Sequence, residues 1–108
     1  MIAFEVRLNG KRLCIAGAED LSVLSAVVTA CGKLGRKTVP ARPDEKGGEI
    51  HMHIGGLTAR QDPTKDVHIR WNKTTFLKNG DVIEVRILET DKVDRPTSRS
   101  KATKKKRQ

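Results

Sequence analysis

The stretch that decides the predicted fold is 21-LSVLSAVVTACGKL-34. Its larger apolar residues recur every three or four positions, which is the spacing of one face of an α-helix. They are Leu21, Leu24, Val27, Val28, Cys31 and Leu34. Asp20 or Ser22 can cap the start of such a helix, and Gly32 or Gly35 can end it. The stretch therefore predicts one amphipathic helix with a single face toward a core.

Strand patterns flank this segment on both sides. Residues 2–8 place apolar side chains at every second position, which is typical of a half-buried strand. Asn9-Gly10 follows and favours a two-residue type I′ turn, so residues 11–16 are predicted to return as the second strand of a hairpin. Similar alternation appears at residues 50–54, 67–71 and 82–88. The predicted order is ββαβββ, an α+β fold in which one helix packs on one face of a single mixed sheet.

This order resembles the β-grasp, or ubiquitin-like, superfamily. The resemblance rests on the hairpin around Asn9-Gly10, the single helix at residues 21–34 and the closing stretch 76-FLKNGDVIEV-85. It implies a β-grasp domain over residues 1–89.

The resemblance also implies how such a domain would act. Members of the superfamily that are conjugated to other proteins end in a free Gly-Gly, whereas the Gly47-Gly48 and Gly55-Gly56 pairs are internal here. It therefore favours a small non-enzymatic module that docks non-covalently on a partner protein.

The outer face of the predicted sheet is the expected partner-binding surface. Its slight basic excess suits an acidic partner protein, and the alternative is that this polar face is simply solvated. Because Phe4 and Trp71 alternate inward, the face is predicted to lack an aromatic platform for stacking bases. The predicted contact residues are Arg7, Arg12, His51, His53, His68, Arg70 and Arg86.

Positive charge is concentrated in the C-terminal segment. The chain has a net charge of +9, and residues 92–108 hold eight basic residues against one acid. Val93 is the only sizeable apolar residue there, so residues 90–108 are predicted to be a disordered basic tail that cannot bury enough surface to offset its ordering entropy. Such a tail can contact nucleic acid or an acidic partner, or it only keeps the protein soluble. The contact residues would be Lys101, Lys104, Lys105, Lys106 and Arg107.

The three histidines suggest a metal site as a further alternative. His51 and His53 share one face of their predicted strand. If the strands at 50–54 and 67–71 pair with Ile54 opposite Val67, His53 lies directly across from His68, close enough for the imidazoles to share a zinc-like ion. The competing interpretation is a polar, solvated sheet face.

Several classes of function are disfavoured. Cys14 alternates outward but lies far from the histidines in the β-grasp arrangement, and Cys31 lies on the apolar stripe of the helix, where it would be buried and inert. No enzyme and no cofactor are therefore predicted. No apolar run approaches the roughly 20 residues of a membrane span. Two cysteines and an N-terminus without a basic leader favour a cytoplasmic protein. The predicted functions are, in order, protein docking, nucleic-acid association through the tail, and histidine-bound metal.

Overall fold

Antiparallel strand pairing organises the chain. The computed structural model describes residues 1–39 and 48–102, which form eight strands and one short 3₁₀ turn at Pro63–Lys65. The strands are β1 (Ile2–Leu8), β2 (Lys11–Ala16), β3 (Leu21–Cys31), β4 (Glu49–Thr58), β5 (Val67–Arg70), β6 (Thr75–Leu77), β7 (Ile83–Glu89) and β8 (Ser98–Lys101). Sheet A has the order β2-β1-β7. Sheet B has the order β3-β4-β5-β8, and β6 pairs with β4.

The predicted N-terminal hairpin is confirmed. Strands β1 and β2 pair antiparallel around Asn9-Gly10, with Leu8 opposite Lys11. Asn9 has φ 52 and Gly10 has φ 85, the positive values that a type I′ turn requires. The Asn9 side chain also anchors the chain just before β7, because its Oδ1 accepts a hydrogen bond of 2.8 Å from the Val82 N–H.

The stretch that was predicted to be a helix is the long strand β3. It pairs with β4 along its length. Its β-branched residues lose side-chain freedom in a helix but fit a pleated strand, which favours the extended form once a partner strand is present. They are Val23, Val27, Val28 and Thr29. The helix-like spacing misleads because Leu24 and Val28 face one side of the sheet while Val27 and Cys31 face the other.

The prediction of an α+β, β-grasp-like ββαβββ fold is therefore wrong. The described residues contain no α-helix, and two antiparallel sheets replace the single mixed sheet. The physical reason is that a sheet must cover its apolar face with another element. With no helix available, sheet A and sheet B cover each other, so this topology does not support the ubiquitin-like resemblance.

The core lies between the two sheets. Trp71, which follows β5, is only 3% exposed, and its indole N–H donates a hydrogen bond of 3.0 Å to the Asp94 carbonyl. The other buried members of the core are Val6, Cys14 and Ala16 from sheet A, and Met52, Ile54 and Ile69 from sheet B.

The two cysteines occupy the opposite environments to those predicted. In the β1–β2 ladder the pairing register shifts between Arg12 and Cys14, so Leu13 has no cross-strand partner. This bulge reverses the alternation of the strand, and Cys14 rather than Leu13 faces the core. Cys31 is exposed at the end of β3 instead of being buried on a helix.

We expect only Cys31 to react readily with a thiol reagent in the folded protein. Burial, helped by the nearby Asp94 carboxylate, raises the pKa of the Cys14 thiol to about 11, so little thiolate forms at mildly alkaline pH. Titration with Ellman's reagent should detect one fast thiol in the native protein and two in urea. In a Cys31→Ser variant the native signal should nearly vanish, and a fast reaction there would contradict the buried position of Cys14.

Residues 92–102 belong to the fold, so the predicted disorder of residues 90–108 is wrong for the part that the structure describes. Asp94 joins the edge of β2, because its N–H donates to the Ile15 carbonyl and its carboxylate accepts from the Ile15 N–H, each at 2.8 Å. Strand β8 then pairs with β5. These hydrogen bonds are made to the backbone of sheet edges, and they order a segment that has few apolar side chains. Lys104, Lys105, Lys106 and Arg107 lie outside the described residues.

Candidate binding groove

The outer face of sheet B, the face turned away from the core, carries a groove of about 500 Å³. Cross-strand pairing aligns two rows of residues across four strands beneath it. The first row is Ser25, Gly55, Arg70 and Ser98, and the second row is Val23, Leu57, His68 and Ser100. His53 lies on the same face of β4, two positions before Gly55, and also lines the groove. We call this feature the outer groove.

Two glycines form the floor of the outer groove. A Cβ added at Gly55 would lie 2.7 Å from the Ile69 carbonyl oxygen, and one added at Gly56 would lie 2.5 Å from the Val23 carbonyl oxygen. Both contacts are shorter than any side chain tolerates, so the strands approach here as only glycine allows. Gly55 also places no side chain between Ser25 and Arg70, which leaves the floor open.

The residues that line the outer groove include basic and hydroxyl groups but no carboxylate. Arg70 and His68 are exposed, and His53 is half-buried. Burial, with further contributions from the positive charges of Arg70 and His51, lowers the pKa of His53, so this imidazole is neutral near neutral pH. Its buried Nδ1 has no hydrogen-bond partner among the described residues. A guanidinium, two imidazoles and serine hydroxyls together suit an anionic group such as a phosphate.

An exposed aromatic ring extends the same face. Phe76 on β6 lies opposite His51 in the β4–β6 pairing and is 66% exposed. The His51 ring lies 6.3 Å from the Phe76 ring and 5.0 Å from the His53 ring, measured between centroids. The prediction that this face lacks an aromatic side chain overlooked Phe76. The alternation of side chains along β6 could have revealed Phe76. Leu77 faces inward, so the preceding residue, Phe76, must face outward.

The three histidines do not converge as the metal hypothesis requires. The predicted register, with Ile54 opposite Val67, is wrong: Leu57 lies opposite His68, a shift of four residues. Asn72 sets the true register, because its Oδ1 accepts a 2.8 Å hydrogen bond from the Ile54 N–H just beyond β5. Across residues 1–39 and 48–102, no group of three or more histidine, cysteine or acidic side chains could hold a metal ion.

The predicted partner-binding residues divide between two surfaces. His51, His53, His68 and Arg70 belong to sheet B, whereas Arg7, Arg12 and Arg86 belong to sheet A. In sheet A, the Arg7 guanidinium lies 2.9 Å from the buried Glu5 carboxylate, and Arg86 lies 3.7 Å from it. Glu84 also lies 3.2 Å from Arg86, so two carboxylates offset the charges of these two arginines. The single predicted face is therefore two faces, and of these residues only His53, His68 and Arg70 line the outer groove.

Lys101 lies apart from the outer groove, near the end of β8. It pairs with Val67 at the edge of sheet B and is exposed.

Comparison with known proteins finds no relative of this chain. No protein-family model matches it, and no curated protein and no solved structure gives a significant match. Within the described part of the chain, no helix is long and apolar enough to cross a membrane.

Proposed function

We propose that this protein is a non-enzymatic module that binds single-stranded nucleic acid on the outer face of sheet B. The observation that carries the proposal is the outer groove, which combines Arg70, His53 and His68 with three serine hydroxyls and contains no carboxylate. A phosphate backbone needs cations and hydrogen-bond donors, and a neighbouring acid would repel it.

The side chains in and beside the outer groove have distinct roles in this proposal. The planar guanidinium of Arg70 donates paired hydrogen bonds whose geometry matches two phosphate oxygens. The Ser98 hydroxyl beside it supplies a neutral hydrogen-bond donor. The neutral imidazole of His53 donates or accepts one further hydrogen bond. Phe76 offers an exposed ring on which an unpaired base can stack, which favours a single strand over a duplex.

The C-terminal residues add charge without sequence preference. Lys104, Lys105, Lys106 and Arg107 follow β8 in the sequence. We expect their positive charge to raise the affinity and the salt dependence of binding.

The test is the binding of fluorescent single-stranded DNA and RNA oligonucleotides, followed by anisotropy at several salt concentrations. The full chain should bind, with an affinity that falls as salt rises. A chain that ends at Ala102 should bind more weakly and with a smaller salt slope. This end point preserves Asp94 and β8. No binding at low salt by the full chain would contradict the proposal.

We expect the affinity for the oligonucleotide to rise as the pH falls below neutral. The pKa of His53 is lowered in the free protein, so the group gains its proton only on acidification. A bound phosphate favours the charged imidazole, so binding takes up a proton and is strengthened by acid. His53→Gln keeps hydrogen-bonding capacity without titrating and should flatten this part of the pH profile at constant ionic strength. An unchanged profile in that variant would exclude His53 from the contact.

Docking of an acidic protein surface on the same face is the second candidate. The observation that favours it is that Val23 and Val27, beside the basic groups, are 48% and 44% exposed. Apolar side chains next to charge are typical of protein interfaces. Pull-downs with nuclease distinguish the two candidates: a protein retained by the wild type and by Arg12→Glu but lost with Arg70→Glu would support docking at the outer groove.

A further inference from the structure

The far edge of strand β3 presents backbone groups that no described strand uses. Ile54 of β4 directs both its backbone groups away from β3, since its N–H donates to Asn72 and its carbonyl accepts from the Trp71 N–H at 2.9 Å. Ala26 lies opposite Ile54, so it must direct its own groups away from β4, toward the free edge. By alternation the outward-directed residues are Leu24, Ala26, Val28 and Ala30.

The edges formed by β2, β7 and β8 are protected by charge, and the uncharged edge strand β6 has only 3 residues. They carry Lys11 and Arg12 on β2, Glu84, Arg86 and Glu89 on β7, and Arg99 and Lys101 on β8. Asp94 additionally occupies part of the β2 edge. By contrast, β3 has 11 residues and no charged side chain, although the whole chain carries +9. Long uncharged edges are the ones that pair with another strand, and proteins usually block them.

We propose that β3 pairs antiparallel with β3 of a second copy of this chain, related by a two-fold axis perpendicular to sheet B. Two copies of so basic a protein repel each other, and β3 is the long described edge at which no like charges meet. The edge is also self-complementary, since antiparallel pairing requires outward N–H and C=O groups on alternate residues of both strands.

One register satisfies all four outward residues of each copy. It places Leu24 opposite Ala30 and Ala26 opposite Val28, with each pair exchanging two hydrogen bonds. Val27 then lies opposite Val27 of the other copy on the outer face, at the two-fold axis. Cross-strand pairs of this kind have Cβ atoms about 4.5–5.5 Å apart, so the two valines are in contact.

The pairing joins the two copies of sheet B into one continuous sheet. Because the axis is perpendicular to the sheet, both outer grooves face the same side, one on each side of the β3 seam. Val23 and Ser25, which line the outer groove, belong to the strand at the seam. A single strand of nucleic acid could then contact both grooves, which raises the effective concentration at the second site.

Sedimentation velocity over a range of protein concentrations tests the pairing. We expect the wild-type chain to form a dimer that tightens with added salt, because salt screens the repulsion between the copies. Val27→Lys and Val27→Glu should each be monomeric, since like charges then meet at the axis. An equimolar mixture of the two should recover a dimer. Val82→Lys is the matched control, because Val82 is an exposed valine outside β3, and it should remain dimeric.

Amide hydrogen exchange provides a second, independent readout. In the dimer the outward amides of Leu24, Ala26 and Val28 should be protected together with those of Ser25 and Val27, which face β4. In Val27→Lys only the amides that face β4 should stay protected. The proposal would be overturned by a wild type that is monomeric at its highest soluble concentration, or by outward amides that exchange rapidly there. It would also be overturned if the mixture of Val27→Lys and Val27→Glu formed no dimer.

Discussion

Arg70→Glu should weaken the binding of a single-stranded oligonucleotide by about 100-fold at low salt. The side chain of Arg70 is exposed in the outer groove, between Gly55 of β4 and Ser98 of β8, and no carboxylate lines that groove. The substitution removes the phosphate donor and places a negative charge where a phosphate must lie. The salt slope should also become shallower, because fewer counterions are released on binding. Fluorescence anisotropy titrations at matched salt concentrations measure both quantities.

Arg12→Glu is the matched control for this prediction. It changes the net charge by the same amount, but Arg12 is exposed on β2 of sheet A, away from the outer groove. Its effect should be limited to the weaker long-range attraction of a less positive protein. The Arg70 substitution should not unfold sheet B, since Thr97 bonds to the main-chain carbonyl of Arg70 rather than to its side chain. Equal losses of affinity for both variants would show that binding does not depend on the outer groove.

Trp71→Ala should lower the free energy of unfolding by about 3–5 kcal/mol. Trp71 is buried between the sheets, and its indole N–H holds the Asp94 carbonyl, so the variant loses core packing and leaves that carbonyl unsatisfied. Asp94 in turn bonds to Ile15 of β2. Because a domain of this size is stabilised by only about 5–15 kcal/mol, the loss is a large fraction of the total. Urea unfolding followed by circular dichroism measures the loss. Tryptophan fluorescence cannot be used, because Trp71 is the only tryptophan and the variant lacks it.

Two other aromatic substitutions separate the contributions. Trp71→Phe keeps a ring in the core but loses the hydrogen bond to Asp94, so its loss of stability should be smaller. Phe76→Ala should change stability by no more than about 0.5 kcal/mol, because Phe76 is largely exposed. It should instead lower oligonucleotide affinity, by about 1–3 kcal/mol if a base stacks on the ring. A Trp71→Ala protein as stable as Phe76→Ala would contradict the core described above.

The candidate site was only partly predictable from sequence. The alternation of residues 50–54 and 67–71 correctly places His53, His68 and Arg70 on one outer face. Their spacing depends on the register between β4 and β5, which could not be predicted. At the end of this pairing the Asn72 side chain, and not a backbone carbonyl, accepts the hydrogen bond from the Ile54 N–H. Ser98 and Ser100 enter the outer groove only because β8 pairs with β5, and a charged segment with few apolar residues gives no local signal of that pairing.

The sequence by itself determines the features that depend on neighbouring residues. Asn9-Gly10 specifies the first turn because both residues adopt positive φ at low cost, and strict alternation identifies β1, β4, β5 and β7 as strands because successive side chains leave the backbone on opposite sides. These are short-range steric effects, which a short window of sequence contains.

Only the tertiary structure decides the rest. The segment 21–31 is compatible with a helical stripe and with a strand, and pairing with β4 selects the strand. The bulge at Leu13 turns Cys14 inward, and Asp94 and β8 attach the basic C-terminal segment to two sheet edges. Each of these outcomes depends on hydrogen bonds and packing between residues far apart in the chain. Their free energy exceeds the small local preferences that a sequence pattern reports.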